Sequence, residues 1–366
     1  VRGACLAAGL PPPAYNTVKA RVAARDPAWL ARRRGEPAKA RSMRLLTGAH
    51  PGASAPWERV QIDATRCDLL LVRDRDRTVI GRPTLTVAVD LHSRAICGFS
   101  VLLEGAGGVS VATCLAHACL PKDGWLRRLG HIDLRWPVWG RPLVLEYDRG
   151  PENAARGVQR GLAIHGIRAK VRPKGRPEHH GHVERLIGTV MRRVHDLPGT
   201  TFSGVGARGE THPERLACIS LPELEEILAV EAVRYNETRH GATGERPTDR
   251  YLAHYRRPDL ADAERIPEPP GGGEDLLLDF LPFERRTLRR TGVRLFGVDY
   301  AARDLEPLWL EDRRRGPAAQ RRIVVYDPRS LAAVHVADEA TSTYVPAHYR
   351  VPRADMTLAE SEEARR

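Results

Sequence analysis

At 366 residues the chain exceeds one average domain, and its 42% of hydrophobic residues is ample for two or three buried cores. Lys and Arg number 58 against 46 Asp and Glu, and the net charge of +12 favours a polyanionic partner, nucleic acid before an acidic membrane. No run approaches the ~20 apolar residues of a membrane helix, none reads as a secretory leader, and the six cysteines form neither a disulfide framework nor a CxxC pair, so a reduced cytoplasmic protein is expected.

The first residue is Val1 and the pattern begins mid-element, so further chain is expected upstream. Residues 11–34 predict one basic helix capped near Asn16 or Thr17, carrying Lys19, Arg21, Arg25 and Arg32. A polar linker follows, so 1–56 is read as the end of a DNA-binding region plus linker. From Trp57 the pattern turns to strands. Residues 60–65 alternate, 69–72 continue them, and 84–91 and 95–103 are apolar strands divided by the turn Asp90-Leu-His-Ser-Arg94. Residues 108–120 predict a buried helix on which Cys114, His117 and Cys119 pack, and Trp125, Trp136 and Trp139 read as packing in the loop beyond it. A strand at 142–147, a helix near 151–163 and a strand at 167–171 follow.

The next helix has the clearest pattern. Val183, Leu186, Ile187, Val190, Met191 and Val194 fall on one stripe at i, i+3, i+4, i+7, i+8 and i+11. Residues 221–235 predict a second amphipathic helix. The core is therefore placed at 57–260, a linker at 261–275, a β-barrel of short alternating strands at 276–350 and a frayed tail at 351–366. Three strands, a helix, then strand-helix-strand-helix predict an α/β fold: a mixed sheet with helices on both faces.

Three carboxylates stand out. Asp63 interrupts an apolar strand, where an acid is costly unless paired or bound to a cation. Asp148 directly follows a strand, at the end where ligands gather in open α/β sheets. Glu184 sits at the edge of the apolar helical stripe. Such a set, without Cys or His ligands, suits Mg²⁺, and two ions about 3.5–4 Å apart support in-line phosphoryl displacement. Ahead of Glu184, the alternating Arg168, Lys170, Arg172, Lys174 and Arg176 suit a phosphate backbone, and Arg185 and Arg192 lie on the opposite face of the helix from the stripe. Asp90 reads as a turn former bonding its own backbone, Asp68 likewise as structural, and Glu152 as a helix cap. His179, His180 and His182 lack the company of a zinc site.

Between Asp63 and Asp148 lie 84 residues, and between Asp148 and Glu184 lie 35. With its flanks, this set resembles the DDE transposases and integrases of the RNase H-like superfamily, and more narrowly the phage Mu transposase group with its TnsB and TniA relatives. The segments that carry the resemblance are Trp57-Glu-Arg-Val-Gln-Ile-Asp-Ala-Thr65, Asp90-Leu-His-Ser-Arg-Ala-Ile-Cys-Gly98 and Gly175-Arg-Pro-Glu-His-His-Gly-His-Val-Glu-Arg-Leu-Ile-Gly188. Leu197-Pro-Gly-Thr-Thr201, Tyr235-Asn-Glu-Thr-Arg-His240 and the barrel extend it over most of 57–350. The second acid departs from the family's usual Asp-Asn-Gly-x-Glu-Phe, reading Asp148-Arg-Gly-Pro-Glu-Asn153.

The resemblance implies an RNase H-like core with Asp63, Asp148 and Glu184 as catalytic residues and ligands of two Mg²⁺ ions, Mn²⁺ substituting. It implies nicking at transposon 3′ ends and joining of those ends to target DNA. A homo-oligomer on DNA, an AAA+ ATPase partner for target selection and a bacterial, nucleoid-associated location are further implications. Two alternatives stay open: an RNase H-like nuclease without strand transfer, and a catalytically inactive DNA-binding relative.

Overall fold

The computed structural model describes residues 1–37, 40, 52–103, 105, 107–147, 152–171, 181–201, 212–241, 243–256, 273–316 and 321–364. It divides into two compact units, Val1–Gly52 with Pro173–Gly181, and Ala53–Arg172 with His182–Arg366.

In the first unit, a short α1 (Arg2–Ala7) precedes two helices where one was expected, α2 (Tyr15–Ala23) and α3 (Pro27–Arg33). The break lies at Asp26-Pro27. Proline lacks an N–H and pushes the preceding residue out of the helical region, so Asp26 becomes a cap and its Oδ1 accepts the Ala28 N–H at 3.0 Å. The cap expected at Asn16 or Thr17 is unused, because α2 starts from Ala14 without a side-chain cap.

In the second unit, strands β1 (Arg59–Arg66), β2 (Leu71–Val72), β4 (Thr84–Asp90), β5 (Ile96–Leu102), β6 (Val144–Tyr147) and β7 (Arg168–Val171) fall on the predicted runs, and a short β3 (Val79–Gly81), which was not expected, pairs with β2. Five build one sheet in the order β5-β4-β1-β6-β7. Strand β4 runs antiparallel to β1 and β5, whereas β6 is parallel to β1 and β7. Every residue of β4 and β5 is buried, as near-continuous apolar runs require when helices cover a sheet. This is an RNase H-like mixed sheet. The helices of this region are α4 (Gly108–Cys119), α5 (Asp123–Arg128), α6 (Glu152–Ile164), α7 (Gly181–Val194), α8 (Pro213–Leu216), α9 (Leu221–Glu237) and α10 (Pro247–Tyr255). Helix α4 comes close to β5 because Gly98 has no side chain: a Cβ there would lie 2.6 Å from the Ala118 nitrogen. His117 on α4 packs against Phe99, Trp125 and Trp136, and Cys114 and Cys119 are buried, so these residues are packing residues as expected. Among the described residues no helix is long and apolar enough to cross a membrane.

Helix α11 (Gly273–Phe280) begins inside the expected linker, and its Leu276, Leu278 and Phe280 are buried in the same core as the sheet. Two glycines of α6 make room for it. A Cβ on Gly157 would lie 2.4 Å from the Leu281 carbonyl oxygen, and one on Gly161 would lie 2.3 Å from the fully buried Phe280 ring. Alanine normally improves a helix interior by about 1 kcal/mol over glycine. At Gly161 the sign reverses: overpacking against Phe280 is expected to leave Gly161→Ala about 1–3 kcal/mol less stable in urea melts. Gly188→Ala on α7, where a Cβ meets nothing within 4 Å, is the control and is expected to be neutral or stabilising. Equal gains from both variants would refute the close approach of α6 and α11.

Beyond α11, β8 (Phe283–Arg286), β9 (Val293–Leu295), β10 (Val298–Ala301), β11 (Arg322–Asp327), β12 (Ser330–Asp338) and β13 (Thr343–Tyr349) pair antiparallel in the order β8-β11-β12-β13-β10-β9. The end strands β8 and β9 approach each other and nearly close a barrel around Leu295, Tyr300, Val324, Val334 and Val336. Helix α12 (Glu306–Arg315) lies between β10 and β11 in the chain. Asp279 of α11 links core and barrel: its carboxylate accepts from Tyr344 of β13 at 2.5 Å and lies 2.8 Å from His165 Nε2, while Arg160 of α6 donates to the Tyr344 hydroxyl. The expected frayed tail is instead partly ordered. Leu331 N–H donates to Met356 O at 2.9 Å, Leu358 N–H to Pro328 O at 2.8 Å, and a Thr357/Glu360 capping box starts α13 (Leu358–Glu363). Met356 and Leu358 pack on the barrel core, which offsets the entropy of ordering the segment.

Candidate functional site

Strand β1 is the middle strand of the five, and its alternation sets the site. Val60 and Ile62 are 0% and 2% exposed on one face, and Arg59, Gln61 and Asp63 share the other. Asp63 is half-buried, pairs in register with Val87 of β4, and its Oδ1 accepts the Ala64 N–H at 3.0 Å. Strand β6 lies alongside in parallel register and ends at Tyr147. Asp148, the next residue in sequence, lies outside the described residues. Glu184 belongs to α7, whose Leu186, Val190 and Val194 are 2%, 7% and 1% exposed, as the stripe predicted. The side chain of Glu184 lies outside the described residues, so of the three acids the structure describes that of Asp63.

The expected phosphate-binding residues divide in the same way. Arg168 and Lys170 lie two apart on β7, the open edge of the sheet, and both are exposed. Arg192 is exposed on α7, its Nη2 donating to Thr189 Oγ1 at 2.9 Å. Arg172, Lys174, Arg176 and the side chain of Arg185 lie outside the described residues, as do His179, His180 and the side chains of His182 and Glu152.

One residue of this face escaped the sequence reading. Glu146 on β6 is 1% exposed and gathers three side chains. Its Oε1 accepts from Arg59 Nε at 3.0 Å and Lys170 Nζ at 3.1 Å, and its Oε2 from Gln61 Nε2 at 2.9 Å. Burial alone raises a carboxyl pKa; hydrogen bonds from Gln61, Arg59 and Lys170 outweigh it here and hold Glu146 at about 2. The signal was available: an acid inside the apolar 142–147 run carries the same cost that marked Asp63.

The two discounted acids are structural. Asp90 is fully buried and accepts from Trp57 N at 2.9 Å and from Ser93 N and Oγ at 2.7 and 2.6 Å, closing the β4–β5 turn. Burial is the largest influence on it and pushes its pKa up, against the lowering by those hydrogen bonds. Asp68 pairs with Arg82 and lies 3.2 Å from His195 Nε2, and its carbonyl accepts from Thr200 Oγ1 at 2.9 Å and Thr201 N at 2.8 Å. The Leu197–Thr201 motif is thus pinned to the segment after β1. Asn236 of the Tyr235–His240 motif is buried and brackets Ile96, accepting its N–H at 2.8 Å and donating to its carbonyl at 3.0 Å. That motif serves to fasten α9 to β5.

Residues 61–199 match the family model of the TnsB C-terminal domain, and 277–345 that of the Mu transposase C-terminal domain. The transposition protein TnsB of transposon Tn7 from Escherichia coli is 27% identical over 312 residues, 80% of this chain and 43% of that protein. The transposase of transposon Tn552 from Staphylococcus aureus is 24% identical over 289 residues, 78% of this chain and 52% of that protein. The chain thus spans about half the length of the curated relatives it matches. Among solved structures, the HTLV-2 integrase catalytic core domain in complex with magnesium, in its trimeric form, covers 54% of this chain and 99% of its own at 13% identity and a TM-score of 0.31. The two family matches follow in this order along the chain, the first over the five-stranded sheet and the second over the C-terminal barrel, so the chain is similar in both parts to transposases of the TnsB and Mu type.

Proposed function

We propose that this chain is the catalytic part of a DNA transposase that nicks the 3′ ends of a mobile element and joins them to target DNA. The observation that carries the reading is the position of Asp63. It is a half-buried acid on the middle strand of the sheet, beside the parallel strand that leads to Asp148, within a segment matched to TnsB. A carboxylate donor of this kind fits a hard divalent cation. Asp63, Asp148 and Glu184 are the residues proposed to hold two Mg²⁺ ions, with Mn²⁺ able to replace them. When bound, such ions stabilise both the attacking and the leaving oxygen of an in-line displacement. The chain's own part is to bring three acids to one rim and to hold the DNA backbone beside them, with Arg168, Lys170, Arg172, Lys174, Arg176, Arg185 and Arg192 as the proposed phosphate contacts. Direct displacement needs no covalent protein–DNA intermediate. A homo-oligomer bridging two element ends, and an AAA+ ATPase that selects the target, are proposed from the relatives' type.

The test is a strand-transfer assay with pre-cut 3′-hydroxyl ends of the chain's own element, target plasmid and Mg²⁺, run beside Asp148→Asn. Joined product from the parent alone supports the reading. Cleavage without joining points to an RNase H-like nuclease. Binding with neither product, in Mg²⁺ and Mn²⁺ alike and with the ATPase supplied, leaves a DNA-binding relative.

A further inference from the structure

Gln61, Glu146 and Lys170 form one row across three strands: Gln61 pairs in register with Glu146, and Glu146 with Lys170. Residues in one row of a sheet point to the same face, so the contacts at 2.9 and 3.1 Å follow from the register. Asp63 is two residues beyond Gln61 on that face, one repeat of roughly 7 Å along the strand. Arg59, two residues before Gln61, closes on Glu146 from the other side. The Arg59 side chain is 12% exposed and that of Glu146 is 2% exposed, but that of Lys170 is 54% exposed.

Two properties separate this row from an ordinary ion pair. First, it is not explained by stability, since a buried charge cluster gains little over apolar side chains of the same volume. Second, Arg59 and Lys170 converge on one carboxylate, and of the two cations the lysine is the one at the exposed edge. The Lys170 ammonium has three N–H donors, of which Glu146 engages one. A lysine on an open edge strand ordinarily samples many rotamers, and this one is held.

We infer that Glu146 is a positioning residue that holds Lys170 at the sheet edge, on the same face as Asp63, as a pre-ordered contact for a DNA phosphate. The inference rests on the strand-transfer reading and refines it: ordering the lysine before DNA arrives reduces the entropy lost on binding. Simple electrostatics makes the opposite prediction for one variant. Glu146→Gln deletes a negative charge, so a purely coulombic surface would bind DNA more tightly. A positioning role makes binding weaker, because a neutral amide oxygen holds the Lys170 ammonium less firmly than a carboxylate does.

The experiment measures binding of a short blunt-ended DNA duplex of mixed sequence across a salt series, and strand-transfer KM and kcat separately. Lys170→Met is expected to weaken binding about tenfold and to reduce the slope of log K against log salt by about 1, the signature of one lost phosphate contact. Lys170→Arg is expected to restore the slope. Glu146→Gln is expected to raise KM several-fold at nearly unchanged kcat with the parental slope, and Glu146→Gln/Lys170→Met to lose no more than Lys170→Met alone. Glu146→Gln takes a charged acceptor from Arg59 as well as from Lys170, so a melt accompanies each variant; if that one fails to fold, the exposed Lys170 variants decide. Tighter binding by Glu146→Gln, additive losses, or a parental slope in Lys170→Met would overturn the inference. Binding is read without catalysis, so a parent that binds but never joins DNA removes the strand-transfer reading while the slopes still judge Lys170.

Discussion

Asp63→Asn is expected to lower strand transfer about a thousandfold or more while the chain keeps its fold. The substitution exchanges an anionic oxygen donor for a neutral one of the same shape. Divalent cations in such sites contribute several kcal/mol to the transition state, and each 1.36 kcal/mol is a factor of ten in rate, so losing about 4 kcal/mol gives that figure. Folding is a separate matter. Asn retains an Oδ1 that accepts the Ala64 N–H, and the neighbouring Val60 and Ile62 remain buried on the opposite face. A second readout isolates the ligand role. If Asp63 holds a cation, Mn²⁺ raises the parent's stability by mass action, about 2.7 kcal/mol at a hundredfold excess over Kd, and the variant loses most of that rise. Parental joining rates in Asp63→Asn, or an equal metal-dependent rise in both proteins, would show that Asp63 is not a ligand.

The parts of the fold that were legible in sequence are those where one short segment carries its own pattern. The apolar runs of β4 and β5 and the stripe on α7 are examples, because burial on both faces or on one stripe writes itself into consecutive residues. Asp63 was legible for the converse reason: it breaks such a run. What was missed depends on partners distant in sequence. Glu146 is satisfied by Arg59 and Gln61, 87 and 85 residues away, so its local run gives the cost and hides the solution. The division between α2 and α3 is written locally, in Asp26-Pro27, where proline pushes the residue before it out of the helical region. Helix α11 was hidden because a Pro/Gly-rich stretch precedes it, and its binding site on α6 consists of two missing side chains, Gly157 and Gly161. A glycine that accepts another helix reads in sequence as a weak helix position. The polarity of the segment after Met356 predicts a frayed tail, although its Thr357 and Glu360 already spell a capping box.

Lys122 is the second position where a large effect is expected, and it lies away from the acids. It is 0% exposed, and its Nζ donates to Ala118 O at 3.0 Å and Val138 O at 2.7 Å, tying the end of α4 to the loop before β6. Burial pushes its pKa down from 10.5 to about 7, and the nearby Cys119 thiol is itself pushed up to about 12 by burial, so it supplies no counter-charge at neutral pH. The folded chain therefore releases this proton near pH 7, whereas the unfolded chain keeps it until about 10.5. Between those values the unfolded state binds more protons, so stability from this group rises with pH; below about 7 both states are protonated and the dependence vanishes. The gap corresponds to roughly 4–5 kcal/mol across the window. Lys122→Met keeps the volume and removes the titration, at the cost of two carbonyls left without a donor, about 1–3 kcal/mol each and independent of pH. The variant is thus expected to melt near or above the parent at pH 6–7 and well below it at pH 10. Parallel melting curves for the two proteins from pH 6 to 10 would mean that Lys122 stays charged in the fold. In that case the two carbonyls and the Trp136 ring, 5.6 Å from the ammonium, would be holding a buried cation without a counter-ion.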